Sequence, residues 1–539
     1  MAAKELDLGP VRGRDATING QSAIELVGGK NIDITQSGST VTVSLDGDVD
    51  NGHSTNKDNP HEVTAEQVGA VPTSRTINGK SLDKDISLSA SDVGAQSKIT
   101  GTKGQVVGFN DDGNPTPIFM DDSIVETNPD VFGFELNLNE SDPDCKVRYL
   151  GANANYEPVH MDFTAGAFDY GDWADAWFIK NLKPCVLNFD GTVAYELNPN
   201  DYSKKKDGSA SNITSDSLAG NVMVGIPTVY IKIDTSNSNK PKFYFAASKI
   251  DENYFAFAHT DANGKIIPYL YRAAYDGALV SDKIRSLSGK APTRSQTGTI
   301  QITECRANNP SGKTCWDIDV LSDRQLLSLL LILIGKSTNT QAVFGNGNMN
   351  GYYNKAPGSG DQGVLNSGTL DNKGLFFGYS ADNLAVKVFG IENFWGNVWK
   401  RTHGMILDNG VLKVKMTKGK HDGSTATDYN ETGEGYIDTT IRLAGQTGIT
   451  NPDDPSYFYG YINNMLVNRF GLFPNSLNGS STTDFCDRLW YRNNDKRFAL
   501  FGGSSGDGSD CGAFACSLYY LVSTSYWSVG AAVSCKPAA

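Results

Sequence analysis

Over the first hundred or so residues, apolar and polar side chains alternate in short runs. Asn31-Ile32-Asp33-Ile34-Thr35, Thr40-Val41-Thr42-Val43-Ser44-Leu45 and Asp85-Ile86-Ser87-Leu88 each show the period of two that predicts a short, half-buried strand. Thr64 and Gln67 have capping-box spacing and Gly69 supplies a stop, which predicts a single helical turn between strands. After about residue 129 the pattern changes and aromatic residues become common. Trp173 to Leu182 has helical spacing ended by Lys183-Pro184, while Val222 to Ile233 and Lys242 to Ala246 are rich in β-branched and aromatic residues and predict strands. Ser322-Asp323-Arg324-Gln325 reads as a second capping box, opening a helix from Gln325 to Ile334 that Gly335 closes. Val388 to Lys400 predicts a compact aromatic strand, in which Trp395 and Trp399, four apart among Phe394, Val398 and glycine, are expected in the core.

Two sequence echoes organise the amino-terminal region. Thr17-Ile18-Asn19-Gly20-Gln21-Ser22 returns as Thr76-Ile77-Asn78-Gly79-Lys80-Ser81, and Thr64-Ala65-Glu66-Gln67-Val68-Gly69-Ala70 as Ser89-Ala90-Ser91-Asp92-Val93-Gly94-Ala95. Repetition implies modular building, and strands this short have little apolar area to bury within one chain, so partner chains are the expected cover. Gly, Asp, Asn and Pro dominate from about residue 101 to 128, which marks a boundary. The expected organisation is α+β: a β-rich repeat region with one-turn helices over 1–125, then a large, loop-rich domain over 126–539.

Composition narrows the partners. A chain of 539 residues exceeds one core, and its net charge of −14 with no basic patch argues against nucleic acid or an anionic membrane. Its first residues lack the apolar run of a secretory signal, so synthesis in a cytosol is expected. The longest apolar run, Leu326 to Ile334, is far short of the roughly 20 residues of a membrane span. Eight thinly spread cysteines, without Cys-x-x-Cys or a neighbouring histidine, are expected to be reduced structural thiols; His53 and His61 are expected to be solvated loop residues. Six scattered histidines and no phosphate loop provide no catalytic constellation, and no metal or cofactor is expected.

The distinctive chemistry lies in Arg497 to Ala532. Phe498, Leu500, Phe514, Leu518 and Val529 are suited to burial, and Gly502, Gly503, Gly508, Gly512 and Gly530 mark turns or close approach. Between them stand Ser505, Asp507, Ser509, Asp510, Ser517, Tyr519, Tyr520, Ser525, Tyr526 and Trp527. Tyr and Trp supply stiff amphipathic contact area at low entropic cost, and Ser and Gly adapt to what they meet. These ten residues are the candidate ligand-binding set. Adjacent residues on a regular strand face opposite sides, so one of Tyr519 and Tyr520 is expected to pack inward if their strand is regular.

Gly502-Gly503-Ser504, then Gly508-x-x-x-Gly512-x-Phe514, then polar and aromatic positions ending in Val529-Gly-Ala-Ala-Val-Ser-Cys535 resemble the end of a C-type lectin-like domain of the formylglycine-generating-enzyme type. The stretch is most similar to the variable proteins of diversity-generating retroelements and to phage tail-tip adhesins. Asn59-Pro60-His61-Glu62-Val63-Thr64 with Gln67-Val68-Gly69-Ala70 resembles repeats of phage tail fibres, which are intertwined trimers. The resemblance implies a homotrimeric tail-fibre receptor-binding protein of the virion. Its amino terminus would contact other tail proteins, and its lectin-like domain would bind a glycan or protein on the host surface at positions that a retroelement can diversify. The oxidase chemistry of formylglycine-generating enzymes is not carried over, because Ser505-Gly506-Asp507 stands where the first family cysteine belongs, with Cys511 and Cys516 out of register. Glu157-Pro158-Val159 lacks the Asn that calcium-dependent sugar binding needs. The alternatives are a tail-borne polysaccharide hydrolase and a structural tip protein.

Overall fold

A computed structural model describes residues 131–356, 360–443, 449–451 and 453–538, together with short strands before residue 120. The chain divides into two compact units, residues 1–100 with 111–116, and residues 101–110 with 117–539.

In the first unit, Ala16–Ile18 pairs with Gln21–Ala23 so that Thr17 faces Ser22 and Ile18 faces Gln21; Thr76–Ile77 pairs with Lys80–Ser81 so that Thr76 faces Ser81 and Ile77 faces Lys80. The first sequence echo is therefore a repeated hairpin, each copy interrupted by Asn-Gly, the dipeptide that two-residue hairpin loops favour. Ile32–Ser37 and Thr40–Leu45 form the antiparallel pair expected of them, with Thr35 and Thr42 opposite each other and exposed. The turn expected at Thr64 to Gly69, the strand at Asp85 to Leu88, the second echo, His53 and His61 lie outside the described residues.

The second unit is mostly β-sheet with few helices. One antiparallel sheet runs in the order Val147–Gly151, Val131–Leu136, Lys242–Ala246, Tyr230–Asp234. A second includes Lys183–Asn188, Gly220–Pro227 and Tyr269–Ala273, and ends with Val533–Cys535 beside Trp316–Ile318. A third carries Trp399–Asp408, Lys496–Phe501, Cys516–Leu518, Arg488–Arg492 and Asp454–Tyr461 side by side. The last forty residues thus thread two sheets, as the apolar pattern of Phe498, Leu500, Phe514, Leu518 and Val529 requires; all five are buried.

The helix Leu321–Gly335 is buried at all fifteen positions. It starts four residues earlier than expected, on Val320, and the capping box does not form. Its polar residues tie the helix to its surroundings instead. Gln325 exchanges two hydrogen bonds with the backbone of Leu472, at 2.8 and 3.0 Å, and Asp323 pairs with Lys536 at 2.8 Å and accepts from the Ser534 hydroxyl. Tertiary partners outcompete a local cap in a fully buried helix. Gly335 is its last helical residue, and Lys336 takes the left-handed cap.

Two other expectations are corrected. The helix over 173–182 is only Trp177–Lys180, because Trp173 turns into an aromatic cluster, 5.2 Å from Phe132 and 5.1 Å from Tyr156. Val388 to Lys400 is not one strand: Lys387–Val388 and Ile391–Glu392 make a small hairpin, and the long strand starts only at Trp399. Positive φ angles at Phe389, Gly390, Asn393, Gly396 and Asn397 break the extended backbone. Trp395 and Trp399 are both buried. No helix among the described residues is long and apolar enough to cross a membrane.

Candidate functional site

The irregular loop at 393–397 has a buried polar hub. Asp276 accepts from the Asn393 and Asn397 amides at 3.1 and 2.8 Å and pairs with Lys400 at 3.2 Å; Asn397 in turn bonds Asn348 at 2.8 Å. A buried charge that is paired and hydrogen-bonded to several segments favours one arrangement of the chain around it. Here the hub joins the 345–363 loop to the carboxy-terminal loop: the Ser505 amide donates to Asn397 O at 3.1 Å, the Tyr352 amide to Ser505 O at 2.9 Å, and the Gly508 amide to Met349 O at 2.8 Å.

The 521–529 loop is fastened differently. Its main-chain carbonyls take the donors: Val522 O from the Gly298 amide at 2.7 Å, Thr524 O from the buried Arg401 guanidinium, Tyr526 O from the Ser295 amide at 3.1 Å, and Trp527 O from Arg294 at 3.1 Å. Arg401 is itself oriented by Gln301 at 2.8 Å. These four anchors use main-chain carbonyls and none of the side chains of Ser525, Tyr526 and Trp527.

Together these loops and the third sheet enclose an open hollow of about 410 Å³. Its floor is small and polar, with Ser504, Ser517 and Ser528 buried around the half-buried Asp507, and with Trp399 beside them. Its wall is an arc of rings in mutual contact. Tyr457 meets Tyr519 at 4.9 Å, Tyr519 meets Tyr520 at 4.9 Å, Tyr520 meets Tyr526 at 5.7 Å, and Tyr526 meets Trp527 at 6.1 Å. Trp527 then stacks on Tyr352 at 5.2 Å, and Tyr352 meets Tyr353. Trp490 closes the wall, edge-on to Trp399 at 5.4 Å. Three of these rings are well exposed: Tyr353 at 67%, Tyr526 at 44% and Tyr352 at 43%.

Asp507 Oδ2 accepts both the amide and the hydroxyl of Ser504, at 2.8 and 2.6 Å, yet burial dominates and pushes its carboxyl up to about 6. On the rim, Arg492 donates to the Tyr519 hydroxyl at 2.9 Å and is neutralised by Asp454 at 2.6 Å.

Of the ten candidate residues, Asp507, Ser517, Tyr519, Tyr520, Tyr526 and Trp527 line this cup. Ser505 does not: contrary to the outward display expected of it, its side chain is fully buried and its hydroxyl donates to Gln362 O at 2.8 Å. Ser509 and Asp510 face a neighbouring patch, where Ser509 bonds the Tyr461 hydroxyl and Asp510 pairs with Arg488 at 2.8 Å; Ser525 is exposed outside the cup. Tyr519 and Tyr520 both reach the cup because the strand ends at Leu518, before either of them.

Sequence reasoning missed Tyr352, Tyr353, Tyr457 and Trp490. The tyrosine pair stood out inside a Gly/Asn/Ser loop, and Tyr457-x-Tyr459-x-Tyr461 alternates along a strand; both patterns mark exposed aromatics.

Cys511 and Cys516 are free buried thiols, both pushed up by burial. Buried thiols with raised pKa are poor nucleophiles. A larger hollow, about 520 Å³, lies apart from the cup and is lined in part by Lys313, Lys418 and Lys536. Lys536 pairs there with Asp323, and Lys418 lies 3.8 Å from Asp317 and 3.7 Å from Asp428. No protein-family model matches the chain, and a search of curated proteins finds no significant similarity.

Proposed function

We propose that this chain is a phage tail-fibre receptor-binding protein whose cup engages a glycan or protein on the host cell surface. One observation carries the reading: rings from five separate parts of the chain converge on a single open hollow, and the loop that bears Tyr526 and Trp527 is anchored through its backbone carbonyls. Stiff aromatic anchors around a small polar floor are what a recognition site uses for affinity. A cup of this construction tolerates exchange of its wall residues, which suits the diversification of variable proteins that the Gly-Gly-Ser end resembles. The amino-terminal hairpin repeats serve attachment to the particle and assembly of a homotrimer, which multiplies a weak single-site contact through effective concentration.

Replacing Tyr519, Tyr520, Tyr526 and Trp527 together with Ala should abolish adsorption to host cells while leaving the melting temperature nearly unchanged. Full adsorption by this variant would remove the cup from the account. Sedimentation of the full chain should report three times 58.0 kDa; a persistent single chain would count against the trimer.

A further inference from the structure

We infer that the ligand presents an ammonium group to the cup, seated against the aromatic arc and paired with the Asp507 carboxylate. The inference rests on the cup being the receptor site and adds the chemistry of what enters it. Among the described residues that line the hollow, Asp507 carries the one formal charge, and no lysine or arginine shares the lining. Of the arginines around the cup, Arg488 pairs with Asp510 at 2.8 Å and Arg492 with Asp454 at 2.6 Å, while Arg294 and Arg401 donate to the Trp527 and Thr524 carbonyls of the loop. The groups that face Asp507 are the Ser504 hydroxyl, the Trp399 indole, the Asp510 carboxylate, the Tyr520 hydroxyl and the Cys511 thiol, none of them a cation. Burial without a counter-ion holds its carboxyl up to about 6, so above that pH the floor carries an uncompensated negative charge.

The wall adds to the same potential. Aromatic faces are the negative side of the ring quadrupole, and Tyr and Trp arranged around a hollow attract alkylated ammonium groups more than neutral groups of the same shape. A volume of about 410 Å³ accommodates such a group together with part of the body that bears it. A ligand recognised by ring stacking and hydroxyl bonds alone would not need a carboxylate kept charged against its burial.

Two matched pairs of probes test this: choline against 3,3-dimethylbutan-1-ol, its neutral isostere, and glucosamine against glucose. Each is titrated into the full chain at pH 7.5 and followed by the fluorescence of the cup tryptophans. The charged member of at least one pair should bind about tenfold tighter, and the pair that shows it identifies the source as a quaternary ammonium or a sugar amine. That preference should shrink at pH 5 and in Asp507→Asn. Equal binding within both pairs, or a preference that survives Asp507→Asn unchanged, would overturn the inference. Such a result, with adsorption still abolished by the four-residue Ala variant, would leave the cup as the receptor site and remove only the cation. Loss of both would remove the site itself.

Discussion

Asp507 shows at the scale of one residue what the cup costs the fold. An aspartate titrates near 3.9 when the chain is unfolded and at about 6 when it is folded, so between those values the folded chain binds the extra proton. Stability therefore falls as pH rises through this window, and the carboxylate's penalty is complete above about 6. Asn keeps an oxygen for the two Ser504 bonds and removes the charge, while its amide nitrogen replaces an acceptor that the Trp399 indole faces. Asp507→Asn should thus stabilise the free protein at pH 7.5 by on the order of 1 kcal/mol, with the gain fading towards pH 4. Urea unfolding at both values measures it; a loss of stability at pH 7.5 would show that the charge serves the scaffold.

Legibility in the sequence also divided residue by residue. Tyr519, Tyr520, Tyr526 and Trp527 were readable because polar aromatics interleaved with glycine have few uses in a core. Ser505 was not, since a serine that satisfies a buried carbonyl looks the same in sequence as one that greets solvent. Tyr352 and Trp490 were hidden by distance: only the folded chain shows that positions 352, 399, 490 and 527 are neighbours.

At the scale of elements, the carboxy-terminal loop is set by glycines that admit no side chain. Gly512 sits at φ 150° with the Asp487 carboxylate in the space a Cβ would fill, and Asp487 also accepts the Phe514 amide at 2.6 Å. Gly512→Ala should destabilise the chain by about 2–4 kcal/mol, whereas Tyr526→Ala should change stability by less than about 0.5 kcal/mol. Thermal unfolding of both variants checks the contrast, and comparable losses would mean that the rings, rather than the glycines, hold the loop. The strand at 242–246 followed its β-branched pattern closely, whereas 222–233 breaks at Thr228 and Val229 into Gly220–Pro227 and Tyr230–Asp234, which lie in different sheets. The Ser322 capping box and the 388–400 strand failed for a shared reason: Gln325 and Asn397 spend their side chains on distant backbone and amide partners, which local pattern does not encode.

For the whole molecule, the second unit works as a frame in which two sheets share the carboxy-terminal segment. Lys496–Phe501 and Cys516–Leu518 lie within one sheet and Val533–Cys535 within the other, so the loops between them are fixed at both ends. A frame closed in this way lets the cup's wall change without unfolding the sheets. The β-rich character was legible from periodicity and the echo from repetition, but not the hairpin that each copy forms. The convergence of loops was not, because it depends on sheet order, and sequence pattern carries no sheet order.

Hydroxyl-radical footprinting of the chain bound to host cell envelopes tests the central claim most directly. Protection should concentrate at Tyr352, Tyr353, Tyr519, Tyr526 and Trp527 and be absent from Tyr230 and Tyr195 on other sheets. Unchanged labelling at the cup, with protection elsewhere on the domain, would contradict it.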